Sequence, residues 1–173
     1  MNIYLDADVL FDIFARRQPF YESIGMLAAM QALGDCKLWT SSHAYSATAQ
    51  VLTREMDSLD VQRALSRSLK LANVVSCGEE QVASAAAMGW ENFDDALVAQ
   101  CARHCKADYI LSRSVERLEG CGIPVMLPER FFTMLETEHN VSYESVDLHT
   151  PLGRHGAPRS AEQKPAKRGR HSS

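Results

Sequence analysis

Short β-rich apolar runs separated by longer stretches with helical periodicity are what most constrain this 173-residue chain. The runs fall at residues 3–5, 37–39, 72–75, 108–111 and 123–126. Helical stretches are expected near 8–15, 20–33, 43–56, 58–70, 79–89, 94–105 and 128–137. Their apolar residues recur at three and four, as in Tyr21, Ile24, Leu27, Ala28 and in Val61, Leu65, Leu69. Such alternation predicts a parallel sheet with helices on both faces. Pro124 cannot donate to a ladder, so the fifth strand is expected at a sheet edge. Asp57 before Ser58 offers a helix N-cap, and Gly34 and Gly89 are natural helix stops.

With 46% hydrophobic and 23% charged residues, the chain can bury one substantial core. No apolar stretch approaches the roughly 20 residues of a membrane span, and the N-terminus lacks the basic region and long apolar segment of a secretory signal. A cytoplasmic protein is expected. Five cysteines, scattered through expected strands and helices, suit reduced thiols better than a disulfide framework. Cys101, His104, Cys105 and Cys121 can be drawn as a zinc set, but the paired Cys-x-x-Cys spacing is absent and two of them fall on an apolar stripe. No Gly-rich strand-to-helix turn and no Gly-x-Ser-x-Gly elbow is present, which leaves nucleotide-loop and serine-hydrolase chemistry unsupported. The net charge of −4 hides an asymmetry. Residues 151–173 carry six Lys/Arg against Glu162 alone, a charge of +5, so 1–150 carry 12 basic and 21 acidic residues, or −9. That basic tail is too poor in apolar residues to pack. It is either a loose contact for anions such as nucleic acid or a solvated appendage.

Chemistry enters at Asp6, which ends the apolar run Ile3-Tyr4-Leu5 and begins Asp6-Ala7-Asp8-Val9-Leu10-Phe11-Asp12. In open parallel sheets ligands collect at the carboxyl ends of strands, and a carboxylate there can hold a hard divalent cation. A second acidic cluster, Glu91-Asn92-Phe93-Asp94-Asp95, opens the helix expected at 94–105. Taken alone, acids in a first turn complement the helix dipole and cap free amides. If Asp6 and this cluster share one sheet edge, their mutual repulsion favours a bound Mg²⁺ or Mn²⁺, and such ions activate water against phosphodiesters.

Four segments in order carry a family resemblance. They are Asp6-Ala7-Asp8-Val9-Leu10-Phe11-Asp12 with Arg17-Gln18-Pro19-Phe20; Asn92-Phe93-Asp94-Asp95-Ala96-Leu97; Ala107-Asp108-Tyr109-Ile110-Leu111-Ser112-Arg113-Ser114; and Ile123-Pro124-Val125-Met126-Leu127-Pro128-Glu129-Arg130-Phe131. In this order and spacing the chain resembles the PIN-domain family, in its VapC-like group of toxin ribonucleases. The resemblance spans about residues 1–137, with 138–150 as a C-terminal extension and 151–173 as the basic tail. It implies a three-layer α/β/α fold around a central parallel sheet of about five strands. It also implies an endoribonuclease of toxin–antitoxin type, dependent on Mg²⁺ or Mn²⁺, with RNA as substrate, a cognate antitoxin as partner and a homodimer as assembly.

The family's acidic set is matched only in part. Asp6 and Asp95 stand at the first and third positions and would be catalytic metal ligands, with Asp94 beside them. Ala47 stands where the family has Glu or Asn, and Arg117 where it has a fourth acid, leaving the neighbouring Glu116 as the substitute ligand. Arg117 would lower metal affinity, neutralise Asp6 and Asp95 in place of a cation, or contact a phosphate. Candidate substrate contacts are Ser112, Arg113, Arg117, Arg16, Arg17, Arg63 and Arg67. The arginines of the helix at 58–70 are equally what any solvated amphipathic face displays. The alternative function is a catalytically inactive PIN scaffold that binds RNA or protein.

Overall fold

The computed structural model describes residues 1–15 and 18–146. Among them, five parallel strands form one sheet: β1 (Asn2–Leu5), β2 (Lys37–Ser41), β3 (Asn73–Val75), β4 (Tyr109–Leu111) and β5 (Val125–Met126). Their order is β3-β2-β1-β4-β5, with Ile3 opposite both Leu38 and Tyr109. Seven α-helices connect and cover them: α1 (Ala7–Ala15), α2 (Phe20–Ala32), α3 (Ser42–Leu52), α4 (Ser58–Ser68), α5 (Glu79–Ala87), α6 (Phe93–His104) and α7 (Pro128–His139). No described helix is long and apolar enough to cross a membrane.

Strand periodicity explains why the sheet is covered on both sides. Successive side chains of β1 point to opposite faces. Ile3 and Leu5 enter one core with Ile24 and Leu27 of α2 and Phe131 and Leu135 of α7. Tyr4 enters the other with Ala96, Val98 and Cys101 of α6. Ile3, Tyr4 and Leu5 are fully buried, as expected of a strand whose apolar run is unbroken. The edge position expected for the fifth strand is borne out, and Pro124 precedes it with its carbonyl accepting from Ile110 N at 2.9 Å. Asp57 caps α4 through a bond from Leu59 N, and Gly34 and Gly89 take left-handed backbones (φ +84° and +66°) just beyond α2 and α5.

Residues 140–146 fold back onto α7 and α2. Asn140 ends α7 in a left-handed conformation (φ 55°), Tyr143 packs edge-on against Phe132 at 6.2 Å, and its hydroxyl donates to Asp35 Oδ2 at 2.9 Å. Ser145 and Val146 lie against Gly25 of α2, where no side chain fits between them. The basic tail lies outside the described residues.

Candidate functional site

The site is built where the chain reverses its direction of travel across the sheet. From β1 it steps outward to β2 and β3, then returns to place β4 on the other side of β1. That reversal leaves a crevice at the carboxyl ends of β1 and β4. Asp6 occupies it: its N–H still donates to Leu111 O of β4 at 3.1 Å, while its carbonyl accepts the first helical bonds of α1 from Val9 and Leu10. One residue therefore closes a strand, opens a helix and aims a carboxylate into the crevice.

That carboxylate is 7% exposed. Its Oδ1 accepts from Ala7 N at 2.7 Å and its Oδ2 from Ser112 Oγ at 2.8 Å. Burial is the main reason its pKa is pushed up to about 6, the negative charge of Asp8 adds to the rise, and Ser112, Ala7 and the charge of Arg117 oppose it. Asp8 lies in the first turn of α1 and was not singled out by sequence reasoning as a site residue. Its Oδ2 accepts from Arg113 N at 3.0 Å and from the hydroxyls of Ser112 and Ser114 at 3.3 Å each. It thereby ties down the loop that follows β4. Its Oδ1 is buried with no hydrogen-bond partner. The signal that pointed to it was the Asp-x-Asp spacing at the end of β1.

Asp95 is delivered by α6. Asn92 caps that helix, accepting from Asp94 N at 2.8 Å and Asp95 N at 3.3 Å, which fixes the first turn and directs the two acids apart. Asp95 is 4% exposed, and its Oδ1 accepts from Arg117 Nη2 at 2.9 Å. Burial raises its pKa above the usual carboxylate range, and the adjacent guanidinium pulls the other way. Because Arg117 lowers both acids, its single charge serves Asp6 and Asp95 together. Arg117 itself sits on a 3₁₀ turn at Val115–Leu118 and stays 58% exposed. Beside the pair opens a groove of about 810 Å³, with Trp90, Phe93 and Glu119 on its walls.

The remaining candidates fall outside this pair. Asp94 faces His43 Nε2 at 3.5 Å with 69% of its side chain exposed. Glu116 is exposed on the 3₁₀ turn. Ser112 is fully buried and serves Asp6. Arg113 turns inward, its Nε 3.3 Å from the buried Asp12 and its guanidinium 5.5 Å from the ring of Phe20, so its charge is used within the fold. Arg63 pairs with Asp60 on the solvent face of α4, and Arg67 is exposed there too. Arg16 and Arg17 lie outside the described residues. Ala47, on α3, offers a methyl group and no ligand.

This donor set could hold a divalent cation in one arrangement. Among the described residues no three His, Cys, Asp or Glu side chains converge on a metal position. Magnesium, however, keeps several waters and is commonly held by one or two carboxylates plus substrate phosphates. Asp6 and Asp95, with the unpartnered Asp8 Oδ1 nearby, offer that number once Arg117 has left Asp95.

A family model described as PIN domain matches residues 2–116. Among curated proteins no sequence matches this chain. Solved structures similar to it include VapBC2 of Rickettsia felis bound to a fragment of promoter DNA, with 12% identity and a TM-score of 0.58 over 73% of this chain and 98% of that one. VapBC-1 from nontypeable Haemophilus influenzae has 15% identity and a TM-score of 0.58, covering 75% and 99%. Mycobacterium tuberculosis VapC20, described as a toxin that cleaves the sarcin–ricin loop, has 14% identity and a TM-score of 0.53, covering 70% and 95%. At such identities the likeness is one of fold.

Proposed function

Because the chain belongs to the PIN-domain family, we propose that it is an endoribonuclease of toxin–antitoxin type, dependent on Mg²⁺ or Mn²⁺ and attenuated by its own Arg117. The single observation that carries this reading is the Arg117–Asp95 ion pair beside the buried Asp6. In this reading Asp6 and Asp95 are the two carboxylates of a metal-assisted phosphodiesterase, and the Arg117 guanidinium stands in for the metal's charge. When bound, the cation would activate a water and polarise the phosphoryl oxygen. Asp6 and Asp95 would hold it. Ser112 and Ala7 orient Asp6 through hydrogen bonds, and Asp8 fixes the loop that leads to Arg117. An incoming RNA phosphate offers the guanidinium a bidentate partner in exchange for Asp95. Binding of substrate and release of the second carboxylate then become one event. A cognate antitoxin is the expected protein partner, as in the VapBC complexes that share the fold.

A second reading is a PIN scaffold that binds RNA or protein without hydrolysis. It is favoured by Ala47 and by the lack of three convergent ligands among the described residues. Mn²⁺ calorimetry on the wild type and Asp6→Asn, with cleavage of a mixed RNA pool in parallel, separates the two. Micromolar binding lost in Asp6→Asn, together with metal-dependent cleavage, supports the ribonuclease. Neither binding nor cleavage leaves the scaffold.

A further inference from the structure

The two sulfurs that approach each other across this fold have no part in the acidic centre. Cys77 follows β3 and precedes α5, and its Sγ lies 2.7 Å from that of Cys101 on α6. Both are free thiols; Cys101 is completely buried, whereas Cys77 is half-buried and open to small solutes. The Cys77 backbone is held in place by donation from its N–H to Ser42 Oγ at 3.3 Å. Cys105 and Cys121 instead direct their thiols at carbonyls, those of Ala102 at 3.3 Å and Ile123 at 3.1 Å. Cys105 caps the C-terminus of α6 four residues after Cys101, a helical spacing at which Cβ atoms stand about 5–6 Å apart, beyond the roughly 4 Å that a disulfide spans.

We propose that Cys77 and Cys101 are a reversible redox pair that closes to a disulfide under peroxide. Cys77 is the less buried partner that meets the oxidant, and its sulfur, giving up its proton, attacks one peroxide oxygen. The O–O bond breaks, hydroxide leaves and is protonated to water, and Cys77 becomes a sulfenic acid. The Cys101 sulfur then attacks the Cys77 sulfur. The S–O bond breaks, and a second water departs carrying the Cys101 proton. Two thiols and one peroxide thus become one disulfide and two waters, and a thiol reductant reverses the step. Burial pushes the Cys101 thiol well above its usual range, which assigns it the resolving role and not the first attack. The bond joins the segment ahead of α5 to the helix whose first turn carries Asp94 and Asp95.

The test is peptide mapping of the full chain after stoichiometric hydrogen peroxide, with remaining thiols alkylated in denaturant. The expected result is a Cys77–Cys101 linked peptide that a thiol reductant abolishes. Cys101→Ser should trap Cys77 as a dimedone-reactive sulfenic acid, and Cys77→Ser should leave the other thiols alkylated. Alkylation of all five wild-type thiols after peroxide, a Cys101–Cys105 link, or equal linkage in urea would overturn the proposal.

Discussion

Replacing Arg117 with Gln should tighten divalent-metal binding, although it removes an ion pair. The guanidinium donates to Asp95 at 2.9 Å and its charge reaches Asp6, so a cation entering between those carboxylates meets a like charge a few ångströms away. Two unit charges about 4 Å apart interact with about 1 kcal/mol in water and about 4 kcal/mol at an effective dielectric of 20, and a divalent cation doubles both. Arg117 is 58% exposed, so solvent screening puts the relevant figure near the lower end, about 1–2 kcal/mol. That corresponds to Mn²⁺ affinity about fivefold to thirtyfold higher in Arg117→Gln than in the wild type. Gln keeps a donor for Asp95, so the local packing loss is small. Calorimetry near pH 7.5, with thermal unfolding as a check on integrity, measures the difference, and the double variant Asp6→Asn/Arg117→Gln should lose the gain. A folded Arg117→Gln that binds Mn²⁺ no tighter than the wild type would refute the idea that this arginine occupies the cation's place.

Three further outcomes follow from the packing and titration. Asp6 is ionised at neutral pH against a folded pKa of about 6, raised from the usual 3.8, so the folded state binds the extra proton and stability contributed by this site is lost as pH rises from about 4 through 6. Asp6→Asn should therefore be more stable than the wild type at pH 8, by up to roughly 3 kcal/mol less the cost of weaker acceptance from Ser112 and Ala7, with the advantage vanishing near pH 4 in urea titrations. Gly25→Ala should lose about 1–3 kcal/mol despite the better helix propensity of alanine, because its Cβ would stand 2.7 Å from Val146 O and press on Ser145; thermal melts report it, and loss of the Tyr143–Asp35 contact should accompany it. Phe131→Ala removes a fully buried ring that meets Tyr109 at 5.3 Å and Phe132 at 5.4 Å edge-on, and should cost about 3–5 kcal/mol in chemical denaturation.

What the sequence disclosed and what it withheld divide along one physical line. The central strands β1 and β4 are buried on both faces at Ile3–Leu5 and at Ile110 and Leu111, so their runs are apolar, and the alternation of such runs with three-and-four periodicity is enough to specify a parallel sheet, its helical layers and, through Pro124, an edge. The strand limits shift by one or two residues, and β5 shrinks to Val125–Met126. Asp6 was legible because an acid at the end of a buried strand conflicts with local propensity, and such conflicts mark sites. Side-chain partnership across the fold leaves no such mark. On an α-helix, Arg117 and Glu116 would diverge by about 100°; here the backbone winds instead as a short 3₁₀ turn, tied at its start by Asp8 through Ser114 and Arg113, and it is Arg117 whose donor meets Asp95. That irregular turn presents the arginine and leaves Glu116 exposed. Cys77 and Cys101, 24 residues apart, are likewise brought together only by the tertiary fold. Residue identity at a sheet edge can nominate a site, but how far its negative charge is offset is decided by which neighbour the loop geometry turns toward it, and in this protein that neighbour is Arg117.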